Sequence, residues 1–146
     1  MKIAIASDHR GFDFKKQLCR MLSEHNVVDY GPQNAAGPVD YPDFAVRVGR
    51  AVATNECERG ILVCGSGIGM SLAANKIKGI RAIVANNLFS VEMSRRHNDS
   101  NVLCFGADQF SPGAMVEKML HLWIETPFEG ERHARRVQKI SDLEGS

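Results

Sequence analysis

Short apolar runs at residues 2–6, 27–30, 60–63, 80–84 and 102–105 alternate along the chain with segments of helical period. No other feature constrains the fold as strongly. A short apolar run without polar alternation suits a strand covered on both faces. The intervening segments predict helices over 10–25, 42–54, from the end of a glycine-rich stretch to about 76, and over 88–95, 113–124 and 134–143. In the first of these, Phe14, Leu18, Met21 and Leu22 share a face; in the second, Phe44, Val48, Ala51 and Val52 do. Pro42 is tolerable there because it falls in the first turn. Five strands separated by helices require right-handed crossovers and therefore a parallel sheet. The expected architecture is α/β: a three-layer α/β/α sandwich around a five-stranded parallel sheet, with a C-terminal helix, in a single domain over residues 1–146.

Composition narrows the function. The chain has 146 residues, and 18 Lys and Arg against 17 Asp and Glu leave a net charge of +1. That balance argues against broad electrostatic binding to nucleic acid or to an anionic membrane. No apolar run approaches the roughly 20 residues that cross a bilayer. The first residues lack the long apolar core and small-residue cleavage site of a secretion signal. A cytoplasmic setting is expected, with Cys19, Cys57, Cys64 and Cys104 as free thiols.

In open parallel sheets, ligands bind beyond the carboxyl ends of the strands. That rule selects the loops at residues 7–11, 64–69 and 85–88. The most informative is Cys64-Gly65-Ser66-Gly67-Ile68-Gly69. Glycines at alternate positions between a strand and a helix let backbone amides approach an anion closely. A dinucleotide fingerprint would need a further glycine where Met70 stands, and an acidic ribose ligand where Asn86 and Asn87 stand. The lysine of a nucleotide phosphate loop is missing too. The stretch therefore reads as an oxyanion cradle. Cys64, at the junction of strand and helix, is expected to hold a useful thiolate fraction near neutrality, whereas the other three cysteines read as structural.

Asp8-His9 follows the first strand and can handle hydroxyl protons or hold phosphate, although Asp8 could equally cap a helix. His97-Asn98-Asp99 lies between a helix and the fifth strand, and suits sugar hydroxyls or a solvated turn. Asp40-Tyr41-Pro42-Asp43 could set a tyrosine at the mouth of a site or merely open a helix. Arg132 and Arg136 stand four apart, so on a helix both forks project from one face, where they could bind a phosphate dianion.

Together these residues resemble the ribose-5-phosphate isomerase type B family, which includes galactose-6-phosphate and allose-6-phosphate isomerases. The resemblance runs from Ile3 to about Ile140 and rests on separated markers in one order. These are Ser7-Asp8-His9, Asp40-Tyr41-Pro42-Asp43, the stretch from Cys64 on to Ala73-Ala74-Asn75-Lys76, residues 94–99, and Arg132-His133. It implies a Rossmann-like sheet, no metal and no cofactor. It also implies interconversion of D-ribose 5-phosphate and D-ribulose 5-phosphate in the pentose phosphate pathway. By resemblance, Cys64 is the base that moves a proton between C2 and C1, and amides around Gly65, Gly67 and Gly69 with the Ser66 hydroxyl face the oxyanion. His97 promotes ring opening, Asp8 moves protons between sugar oxygens, and Tyr41 and Asn98 line the sugar. His9, Arg132 and Arg136 hold the phosphate. The implied assembly is a homodimer or homotetramer with the site at the subunit interface.

One branch of the family uses a carboxylate a turn further on; Met70 occupies that position and cannot serve as base. Arg10 stands where a small residue is common, and Ala107-Asp108 where many relatives carry an arginine. Arg10 is therefore expected to replace part of a phosphate contact. Two other readings compete: a hexose 6-phosphate isomerase, and a non-catalytic nucleotide-binding module supported by the architecture and the glycine-rich loop.

Overall fold

Strands that are apolar on both faces need cover on both, and the chain supplies it with two layers of helices. The computed structural model describes residues 1–145. Its strands are β1 (Lys2–Ser7), β2 (Asn26–Asp29), β3 (Arg59–Cys64), β4 (Ala82–Val84) and β5 (Val102–Gly106). Between and after them lie α1 (Phe12–Met21), α2 (Tyr41–Ala53), α3 (Ile68–Ala74), α4 (Leu88–Asn98), α5 (Ala114–Glu125) and α6 (Arg132–Asp142). A 3-10 turn at Leu143–Gly145 closes the described chain. Every strand pairing is parallel, in the order β2-β1-β3-β5-β4.

Alternation along each strand sorts the core into two halves. Ala4, Ala6, Leu62, Cys64 and Cys104 face Phe44, Val48 and Val52 of α2 and Met70 and Ala74 of α3. Ile3, Ile5, Ile61, Val63, Leu103 and Phe105 face Phe14 and Leu18 of α1, Val91 of α4, and Val116, Met119, Leu120 and Trp123 of α5. The three expected layers are present. Helix α6 stands outside them and packs against α4.

Two boundaries differ from expectation in ways that matter. Helix α1 begins at Phe12 and ends at Met21 rather than spanning 10–25. That leaves Asp8, His9 and Arg10 in the loop after β1. Helix α4 runs on to Asn98, so His97 and Asn98 are its last residues instead of part of a turn. The extension has a cause in Asp99, which closes the helix in the left-handed conformation at φ 49°. Its carboxylate accepts from Arg95 Nη1 at 2.8 Å and from Arg81 Nη2 at 3.2 Å. Asp99 is thus committed to the scaffold.

Candidate active site

The carboxyl edge of the sheet gathers the loops after β1, β3 and β5. Cys64 is the last residue of β3 and pairs with Gly106, the last of β5. The loops that follow are tied together: the Ala107 amide donates to Cys64 O at 2.8 Å, and the Asp108 amide to Gly65 O at 2.9 Å. Gly67 adopts φ +78°, and a side-chain carbon there would stand 3.1 Å from the Phe105 carbonyl carbon. Glycine is the residue that fits both demands. The turn aims the Gly67 amide at Cys64 Sγ, 3.1 Å away. Ser66 Oγ accepts from the Ile68 amide at 3.2 Å and so helps start α3.

Cys64 is 4% exposed and shares the α2–α3 side of the core. It is set deeper than the sequence suggested, because the strand pleat turns it inward beside Leu62. The adjoining cleft, about 450 Å³, is lined by Gly65, Ser66, Ile68, Val84, Asn86, Asp108 and Gln109. Cys64 adjoins that lining through Gly65. Beneath it Cys104 is wholly buried, and burial pushes its thiol well above the ordinary range, which marks it as inert.

Gly106 holds this corner open. A side-chain carbon on it would lie 2.8 Å from the Ser66 carbonyl carbon and oxygen. Gly106→Ala should therefore push the Cys64 loop outward. The expected result is a kcat reduced roughly ten- to hundredfold with stability lowered by about 1–3 kcal/mol. Steady-state rates and a thermal melt on the same preparation check it.

On the neighbouring strand, Ser7 is level with Val63, one residue before Cys64. Asp8 follows, 5% exposed, and its Oδ1 accepts from the Gly11 amide at 2.9 Å. That bond closes the turn ahead of α1, whose cap is Gly11 and not Asp8, and it leaves Oδ2 without a hydrogen-bond partner among the described residues. His9 Nδ1 accepts from the Val39 amide at 3.1 Å, so the ring carries its hydrogen on Nε2. Tyr41, the first residue of α2, lies against the loop: a carbon built on Gly69 would meet its ring at 2.6 Å.

The remaining sequence-derived candidates lie at the other end of the strands. Helix α4 leaves the carboxyl edge at Leu88 and carries His97 and Asn98 about 14–15 Å along its axis toward the opposite edge of the sheet. There His97 stacks on His133 of α6, with ring centroids 4.2 Å apart and planes within 9°. Glu129 stands 3.9 Å from His97 Nε2 and 4.0 Å from His133 Nε2, and is itself paired with Arg96 at 3.1 Å. His133 is buried, its Nε2 makes no hydrogen bond, and burial with the nearby His97 and Arg132 lowers its pKa. Arg132 and Arg136 are exposed and form no ion pair among the described residues. The result is a cationic cluster with Glu129 as its principal acid, suited to a phosphate. Atoms of His97, Glu129 and His133 lie within 4.8 Å of one another. Parallel stacked rings do not converge their lone pairs on one ion, however, and the arginines oppose a cation. A groove of about 700 Å³ lies at this same end, among Lys78, Arg81, Asn98 and Ile140. The candidate residues of one chain therefore fall into two separate groups, candidate half-sites at opposite edges: Asp8, His9, Tyr41 and residues 64–69 at the carboxyl edge, and His97, Asn98, Arg132 and Arg136 at the amino edge.

A family model described as Ribose/Galactose Isomerase matches residues 3–140. The chain belongs to that family. It is 42% identical over 146 residues to the ribose-5-phosphate isomerase B of Escherichia coli, covering 98% of this chain and 96% of that one. A Clostridium thermocellum ribose-5-phosphate isomerase B superposes with a TM-score of 0.95 at 42% identity, covering 99% and 98% of the two chains. The Mycoplasma genitalium enzyme with bound ribulose-5-phosphate superposes with a TM-score of 0.93 at 38% identity, covering 99% and 97%. Membership of this isomerase family removes the nucleotide-binding module as a reading. No helix among the described residues is long and apolar enough to cross a membrane.

Gly106 lies outside the loops that the sequence selects, and Asp108 enters there only as a departure from the family's arginine. The carboxyl-end rule selects the loops after the strands at 2–6, 60–63 and 80–84, but β5, not β4, is the neighbour of β3. The loop after β5 therefore also belongs to this corner and brings Gly106 and Asp108 to it.

Proposed function

We propose that this member of the isomerase family interconverts D-ribose 5-phosphate and D-ribulose 5-phosphate through an enediolate. The reading is carried by the end-to-end likeness to the Mycoplasma genitalium enzyme with ribulose-5-phosphate bound. The local geometry supports it: a thiol ends β3 beside a glycine loop and a cleft, with Asp8 one strand away.

In this mechanism the furanose first opens to the aldehyde, with His97 and Ser66 exchanging the ring-oxygen and hydroxyl protons. The Cys64 thiolate takes the C2 proton, the electron pair forms the C1–C2 double bond, and the carbonyl oxygen takes up negative charge. Amides at the start of α3 have no acceptor within the helix and can face that oxygen. Two are already used inside the loop, those of Gly67 and Ile68, which leaves Gly69 and Met70. Asp8 Oδ2 moves a proton between O2 and O1, and the Cys64 thiol returns its proton to C1. His9, Arg132 and Arg136 hold the phosphate, while Tyr41 and Asn98 line the sugar.

Because the two half-sites lie at opposite edges of one sheet, the complete site is built between two copies of the chain. Each copy lends its carboxyl edge to one site and its amino edge to another, in a homodimer or a dimer-based tetramer. The setting is cytoplasmic, where the four unpaired thiols stay reduced.

The test is an isomerisation assay on the purified protein with ribose 5-phosphate, allose 6-phosphate and galactose 6-phosphate. A kcat/KM for the pentose at least about tenfold above either hexose is expected, since an added hydroxymethylene unit must be accommodated in a shaped cleft. Preference for a hexose would move the substrate to the other branch that the family's description names. No turnover of any of the three would sink the reading.

A further inference from the structure

The loops after β1 and β5 meet over the first glycine of the Cys64 loop. A side-chain carbon built on Gly65 would stand 3.1 Å from Asp108 Oδ2 and 3.2 Å from Arg10 Nε. The two charged groups thus roof that residue, and they hold each other, Arg10 Nη2 donating to Asp108 Oδ2. Asp108 lines the cleft and is fixed from below by its amide, which donates to Gly65 O at 2.9 Å. Arg10 springs from the same exposed loop as His9, whose Nε2 hydrogen is free to point outward.

This pair is a poor structural tie and a good exchange partner. Both side chains remain 57% exposed, and exposed ion pairs contribute little to stability. A carboxylate at the rim of a cleft that receives a phosphate dianion opposes its ligand, while the guanidinium beside it attracts the same ligand. Arginine makes parallel N–H···O bonds to phosphate as readily as to carboxylate, and the dianion carries the greater charge.

We propose that Arg10 is an exchangeable phosphate ligand, held over Gly65 by Asp108 in the empty site and transferred to the phosphate of the entering sugar. Asp108 then sets the affinity for phosphorylated ligands by competing for Arg10. This rests on the isomerase reading above and adds to it a residue pair that neither half-site included.

The test compares the wild type with Arg10→Ala, Asp108→Asn and the double variant. The readouts are KM for ribose 5-phosphate, and the calorimetric affinity and inhibition constant of inorganic phosphate. Asp108→Asn should lower KM and tighten phosphate binding about two- to fivefold. Arg10→Ala should weaken both about five- to tenfold, and the double variant should match Arg10→Ala. A higher KM in Asp108→Asn would overturn the proposal by making Asp108 a support for Arg10. So would an equal gain from Asp108→Asn with and without Arg10, because Asp108 would then merely repel the anion. The calorimetric arm needs no turnover. A wild type without isomerase activity therefore counts against the isomerase reading, and the four phosphate affinities still judge the exchange.

Discussion

Cys64→Ala should lower kcat by roughly 10²–10⁴-fold, the usual contribution of a positioned proton-transfer group, while the protein still folds and still binds a sugar phosphate. The substitution is a fair test because it trims one sulfur from a residue that adjoins the cleft. Among the described residues the sulfur's one hydrogen bond comes from the Gly67 amide at 3.1 Å. The expected loss belongs to the chemistry: with no base, the C2 proton has nowhere to go, and KM should change far less than kcat. A thiol-alkylating reagent should inactivate the wild type, with ribose 5-phosphate protecting. Because Cys64 is only 4% exposed, modification should be slower than for Cys19, which lies half-buried at the surface. Mass mapping of the modified thiols separates the two. If Cys64→Ala retained wild-type kcat, Cys64 would be the buried structural cysteine that its burial alone suggests, and the base would lie elsewhere.

The second large effect comes from mixing. Cys64→Ala and His97→Ala should each be nearly inactive toward ribose 5-phosphate as pure proteins. Denatured together and refolded, or co-expressed, they should regain up to about half the wild-type activity per mixed dimer. In such a dimer one site receives Cys64 from one copy and His97 from the other, while the second site is doubly defective. The logic follows from α4, which carries His97 about 14 Å away from the edge where Cys64 sits. Ribulose 5-phosphate supplies an internal control. Its carbonyl at C2 and its phosphorylated C5 oxygen leave it open-chain, so it needs no ring-opening group. His97→Ala should thus keep much of its turnover in that direction. No recovery on mixing, with mixed dimers verified by mass, would mean that the two half-sites do not complement each other between chains.

Much of this was legible in the residue order. The five strands and six helices follow from short apolar runs alternating with amphipathic segments, because period and length report local burial directly. The glycines of the Cys64 loop were readable for a similar reason: a left-handed turn at Gly67 and the close approach of Tyr41 to Gly69 are demands that few other residues meet. Helix ends were less legible. Arg95 and Arg81 draw Asp99 into a closing turn that prolongs α4, and one of those partners lies 18 residues away in the sequence.

By itself, then, the residue order determined the layers, the glycine turn after Cys64 and the candidate groups Asp8, His9, Tyr41, His97, Asn98, Arg132 and Arg136. Tertiary structure alone decided how they are distributed. The order β2-β1-β3-β5-β4 brings the loop after β5 onto the Cys64 loop, and the direction of α4 sends His97 to the far edge to stack on His133. The physical reason is that periodicity records which face of an element is buried, whereas strand order and the pairing of Arg10 with Asp108, 98 positions apart, are settled by long-range packing that leaves no local trace.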